Sequence, residues 1–100
     1  MTTPIPVTAG IIKKNDKFLI AQRKEDSSVG PGKWEFPGGK IEFWENPKQC
    51  LKREIKEELN IEIKVEDFLT YNSHVYEKDE KIHVLLLAFI CQWKKRRNQK

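Results

Sequence analysis

The sequence predicts an α/β (α+β) fold in which a mixed β-sheet packs against one amphipathic helix. Three observations predict it. Asn46-Pro47 opens a stretch with apolar residues at helical spacing, the segment Ile5 to Lys13 is rich in Ile, Val and Thr, and VLLLAFIC forms an unbroken apolar run near the C-terminus. The first is a helix signal, because Asn caps free backbone N–H groups and proline at the first helical position forfeits no hydrogen bond. The other two are strand signals.

Taken in order, Ile5 to Lys13 is expected as a strand, Asn15-Asp16 as a turn, and Lys17 to Arg23 as the returning strand of a hairpin. Lys24 to Lys33, with Ser27, Ser28, Gly30, Pro31 and Gly32, reads as a loop. Trp34, Phe36 and Pro37 read as a short strand delivering the chain to a Gly38-Gly39 corner. The helix is expected from Pro47 to about Leu59, with Leu51, Ile55 and Leu59 as its apolar stripe. Ile61 to Val65 and Phe68 to Glu77 read as two further strands, Lys78-Asp79-Glu80 as a turn, and His83 to Trp93 as a central strand covered on both faces.

A chain of 100 residues with 38% hydrophobic content forms one small domain, expected over 1–93. The formal net charge of +4 owes its sign to Lys94, Lys95, Arg96, Arg97 and Lys100. The basic pI therefore belongs to a segment, 94–100, expected as a solvated, disordered tail; nucleic-acid binding is the minority reading. Cys50 and Cys91 have neither metal-ligand nor disulfide spacing, and they are expected as reduced core residues. His74 and His83 likewise show no ligand spacing. The N-terminus lacks the features of a signal peptide, and no apolar run approaches the ~20 residues that span a bilayer, so a cytoplasmic protein without membrane association is expected.

The helix concentrates charge. Glu54, Glu57 and Glu58 share one arc beside the apolar stripe, and like charges at such spacing cost a few tenths of a kcal/mol each. Arg53 can pair with Glu57 four residues on, but one guanidinium does not neutralise three carboxylates. A hard divalent cation such as Mg²⁺ does, taking carboxylate oxygens and completing its shell with water and phosphate. A solvated Glu/Lys helix is the bland alternative for REIKEEL taken alone.

The flanking residues extend the pattern. Gly39, Glu45, Arg53-Glu54, Glu57-Glu58 and Ile61, with Ile55 between the acids, resemble the Nudix box, G-x5-E-x7-R-E-U-x-E-E-x-G-U, where U is apolar. Asn60 stands at the box's second glycine, a mild departure because Asn also adopts the left-handed conformation that ends helices.

The resemblance implies a Mg²⁺-dependent hydrolase, with Mn²⁺ as a substitute, that cleaves phosphoric anhydrides. By the same resemblance, Glu54, Glu57 and Glu58 hold the metal with a backbone carbonyl of the Gly38-Gly39 corner, Arg53 orients a metal-binding glutamate, Glu45 fixes the loop or an outer metal, and Glu54 is the leading general base. WEFPGGKIE looks most like the MutT-type branch, which hydrolyses nucleoside triphosphates, oxidised ones included, to the monophosphate and pyrophosphate. That branch implies substrate contacts from Arg23, Glu35, Phe36, Gly39 and Lys40. Hydrolysis of another nucleoside diphosphate derivative, and a non-catalytic nucleotide- or RNA-binding module, remain as alternatives. Two departures are evident: Trp44 stands where the branch usually has glycine, and the family's second helix and later acid have no counterpart here. A sheet face without that helix needs another cover, for which a second copy of the chain is one occupant.

Overall fold

The computed structural model describes residues 3–22, 34–77 and 81–96. Strand β1 (Ile5–Lys14) turns at Asn15, whose φ of 58° uses the tolerance of Asn for left-handed backbone, and returns as β2 (Lys17–Phe18). The expected second strand is broken: after Leu19-Ile20 the chain pairs elsewhere, as β3 (Ala21–Gln22) with β4 (Trp34–Glu35) in a separate two-stranded sheet. The segment read as a loop, 24–33, and the turn at 78–80 lie outside the described residues.

Strand β5 (Gly38–Lys40) follows, then helix α1 (Pro47–Leu59), β6 (Ile61–Glu77) and β7 (Lys81–Arg96). The main sheet runs β2-β1-β7-β6, with β5 antiparallel to β1 on the edge that also carries β2. β1 and β7 are parallel and β6 and β7 antiparallel, so the sheet is mixed, as expected, and the VLLLAFIC strand is central.

Helix α1 obeys its local signals. Asn46 accepts from the Gln49 backbone N–H while the Gln49 side chain accepts from the Asn46 N–H, a reciprocal capping box with proline at the first turn. At the other end Asn60 sits at φ 57° and ψ 41° and donates its N–H to the Lys56 carbonyl. A β-carbon in that conformation costs about 1–2 kcal/mol, which Asn offsets only in part. Asn60→Gly is therefore expected to melt at or slightly above the wild type, and Asn60→Ala about 1 kcal/mol below it, by thermal denaturation.

The helix buries Cys50, Leu51 and Ile55 against the sheet. Thr8, Gly10 and Ile12 alternate along β1 to meet it: Thr8 and Ile12 are buried, and a β-carbon on Gly10 would lie 3.1 Å from Ile55 and 3.3 Å from Leu51. Ile61, Ile63, Val65, Phe89 and Cys91 complete this core.

Three expectations change. Ile61–Glu77 is one strand, because bulges between Val65 and Asp67 and between Phe68 and Thr70 take up Glu66 and Leu69 as extra residues while β7 offers a continuous partner. β7 is not covered throughout: Ala88, Phe89 and Cys91 are buried, but 82–87 are half-buried beside exposed Phe68, Leu69, Tyr71 and Val75. The start of the basic run is strand rather than tail, since β7 continues to Arg96 and sets Lys95 opposite Glu62; 97–100 lie outside the described residues. Among the described residues α1 is the single helix, and no helix is long and apolar enough to cross a membrane.

Candidate active site

The site forms where β5 passes the middle of α1. In the antiparallel pairing, Gly10 N–H donates to the Pro37 carbonyl at 2.7 Å and Ile41 N–H to the Pro6 carbonyl at 3.0 Å. Residues 37, 39 and 41 thus face β1, and the alternation turns the carbonyls of Gly38 and Lys40 the other way. Lys40's meets Arg53 Nη2, which donates to it at 3.2 Å.

Both glycines are required by space rather than by backbone conformation. A β-carbon on Gly38 would lie 2.0 Å from the Thr8 carbonyl oxygen. On Gly39 it would lie 2.3–2.7 Å from the three carboxyl atoms of Glu54, so the Glu54 carboxylate rests on the bare α-carbon of Gly39.

Arg53 is the hub. Its Nε and Nη2 form a fork on the two oxygens of Glu45, and its Nη1 donates to Glu54 at 3.1 Å and Glu57 at 3.3 Å. The Glu45 side chain is only 6% exposed, and the Glu45 and Glu42 backbone and side chain close a small turn on each other. The hydrogen bond from Arg53 holds the Glu45 carboxyl down at about 2, and the same contact drives the Arg53 guanidinium further above its ordinary value.

Glu58 lies outside that fork. Lost hydration around its carboxyl, though the side chain as a whole is exposed, pushes it up to about 7, with help from the charge of Glu54, a hydrogen bond to Glu54, and the charges of Glu35 and Glu57. Between the ordinary carboxylate value and about 7 the folded protein holds a proton that the unfolded chain releases. Stability from this group is full below the ordinary value and is lost as pH rises through about 7. In chelator, the wild type is expected to lose melting temperature from about pH 5 to about pH 8 relative to Glu58→Gln, measured by calorimetry.

Among the described residues no three acidic, His or Cys side chains are gathered around one metal position. Glu54 and Glu57 turn to Arg53, the nearest cation, and Glu58 leans on Glu54. The donor set still suits a hard divalent ion, being all carboxylate oxygen with peptide carbonyls beside it and carrying more negative charge than Arg53 offsets.

Of the other residues implicated by the sequence, Glu35 reaches the site closely enough to act on Glu58, Phe36 and Lys40 are exposed at the β4–β5 edge, and Arg23 lies outside the described residues. Sequence reasoning missed the bidentate Arg53–Glu45 fork as the main use of Arg53, and it missed Phe43, fully exposed next to Trp44 at 76% exposure.

The profile of the NUDIX domain matches residues 4–100. The chain belongs to the Nudix family. It is 44% identical over 78 residues to a CTP pyrophosphohydrolase of Escherichia coli (strain K12), covering 78% of this chain and 56% of that relative. It is 38% identical over 96 residues to an 8-oxo-dGTP diphosphatase of Proteus vulgaris, covering 94% and 82%. Among solved structures it superposes with TM-score 0.73 and 37% identity on the MutT protein of methicillin-resistant Staphylococcus aureus 252, covering 99% of this chain and 73% of that one. The Nudix chain described here therefore spans little more than half the length of the first relative, and within the family it is MutT-like.

Proposed function

We propose that this Nudix domain hydrolyses a nucleoside triphosphate to the monophosphate and pyrophosphate, water supplying the oxygen and protons that divide the anhydride. The observation that carries the reading is the charge arrangement on α1, where Arg53 engages Glu45, Glu54 and Glu57 and leaves Glu58 crowded by Glu54, Glu35 and Glu57. Such an excess of carboxylate fits a divalent cation that also meets a polyphosphate.

In this reading Glu54, Glu57, Glu58 and the Gly38 carbonyl hold Mg²⁺, with Mn²⁺ as substitute. The bound ion would supply charge neutralisation at the phosphoryl oxygens and a more acidic water. The protein's share is positioning. Arg53 fixes the Glu54 carboxylate over Gly39, where one oxygen takes the proton of the attacking water. Glu45 braces Arg53 from the loop side. We assign substrate contacts to Lys40 and Phe36, and Cys50 and Cys91, both free, suit the reducing cytoplasm in which we place the reaction.

The names of the relatives favour a cytosine nucleotide or an oxidised guanine nucleotide. A panel containing CTP, 8-oxo-dGTP, the common dNTPs, ADP-ribose and a dinucleotide, read by chromatography, is expected to give monophosphate and pyrophosphate from triphosphates only when Mg²⁺ is present. Glu57→Gln and Glu58→Gln are expected to lower that turnover by about 10²-fold or more. Equal turnover in wild type and both variants would dismiss the proposal.

A further inference from the structure

Thr8 is the single buried polar or charged residue among those described, 1% exposed on the helix-facing side of β1, where Ile12 shares its face. A hydroxyl so placed is costly unless paired, and valine would fill the same space without that cost. Its partners are specific. Thr8 Oγ1 donates to the Gly39 carbonyl at 3.2 Å and lies 3.4 Å from Cys50 Sγ. Cys50 Sγ in turn lies 3.5 Å from the Gly39 carbonyl and 3.3 Å from the Lys40 carbonyl, within reach as a thiol donor. Burial pushes the Cys50 thiol up, which keeps it a donor.

The two carbonyls held this way belong to the residues on which the working side chains rest. Gly39 is the seat of the Glu54 carboxylate, and the Lys40 carbonyl accepts from Arg53 Nη2. We propose that Thr8 and Cys50 are positioning residues: a buried hydroxyl–thiol pair that clamps the Gly39-Lys40 backbone from beneath and so fixes Glu54 and Arg53 above it. The role rests on the hydrolase reading for its effect on turnover, but the clamp itself is a property of the protein alone. Both side chains are buried beneath the site. Each is invisible to helix or strand periodicity, since they meet across 42 residues of sequence.

The test uses Thr8→Val, Thr8→Ser, Cys50→Ala, Cys50→Ser and the double variant Thr8→Val/Cys50→Ala. Four readouts are taken: the Gly39 carbonyl carbon chemical shift without metal, Mn²⁺ affinity by water-proton relaxation, kcat and KM separately, and melting temperature. Thr8→Val is expected to shift the Gly39 carbonyl resonance, weaken Mn²⁺ binding, and lower kcat about tenfold with KM within about twofold, because small displacements of a catalytic group are amplified in rate. Thr8→Ser and Cys50→Ser are expected to restore all three. The double variant should fall short of the product of the single effects, since both donors serve one carbonyl.

The proposal is overturned if Thr8→Val leaves the Gly39 resonance and Mn²⁺ affinity at wild-type values, or if losses in every variant track melting temperature and the serine variants fail to restore them. If wild type hydrolyses no nucleoside triphosphate, the functional reading falls, while the resonance and Mn²⁺ measurements still decide the clamp.

Discussion

Gly39→Ala is expected to cost most of the turnover and little of the fold, whereas Gly38→Ala, one residue earlier, is expected to do the reverse. At Gly39 the obstacle to a methyl group is the end of the Glu54 side chain, with carboxyl atoms 2.3–2.7 Å from the new β-carbon. A flexible side chain can swing away, so the sheet and helix survive with a melting temperature lowered by no more than a few degrees. The carboxylate then leaves its seat, and a misplacement of that order is worth about 10²-fold in kcat. At Gly38 the obstacle is the Thr8 carbonyl group, 2.0 Å from the oxygen and 2.7 Å from the carbon, in the paired strand. Backbone in a ladder cannot step aside without breaking its bonds, and a loss of about 3 kcal/mol or more is expected. Thermal melts beside kcat for both variants make the comparison. Matching melts and matching activities would sink it.

Arg53→Lys is expected to fail almost as badly as Arg53→Ala, although it keeps the charge. The guanidinium serves Glu45 with a two-pronged contact, Glu54 and Glu57 through Nη1, and the Lys40 carbonyl through Nη2. An ammonium is a single point with no planar fork, so it can satisfy one of these directions well and the rest poorly. A fall in kcat of about 10²–10³-fold is expected for both variants, with lysine recovering less than a tenth of the loss. An acid titration adds a second measurement. Glu45 is held down at about 2 by Arg53, so its contribution is present above the ordinary carboxylate range and disappears as pH falls through about 2. The variants are expected to lose that acid tolerance. A lysine variant with wild-type turnover and wild-type acid midpoint would refute the account.

What the sequence made legible was local. Asn46, Pro47 and Asn60 announced both ends of α1, and Pro47–Leu59 is where the helix lies, because caps act within one turn. The box spacing likewise picked out Gly39, Glu45, Arg53, Glu54, Glu57 and Glu58, which the fold brings to one region. Helical spacing suggested Glu57 as Arg53's partner, yet the tighter contact is with Glu45, whose reach across the loop depends on how Glu42 and Glu45 fold on each other. The Thr8–Cys50 meeting and the continuity of β6 through Glu66-Asp67 depend on a partner strand or helix, and no local propensity encodes them.

The sheet also dictates when the protein can assemble. β1 carries Thr8 and the β5 pairing, yet its other edge is completed only by β7, with Ile5 opposite Val84 in parallel register. A ribosome delivers the first of these partners long before the second. The nascent β1 must therefore wait for nearly the whole of this stretch to emerge before its second edge is filled.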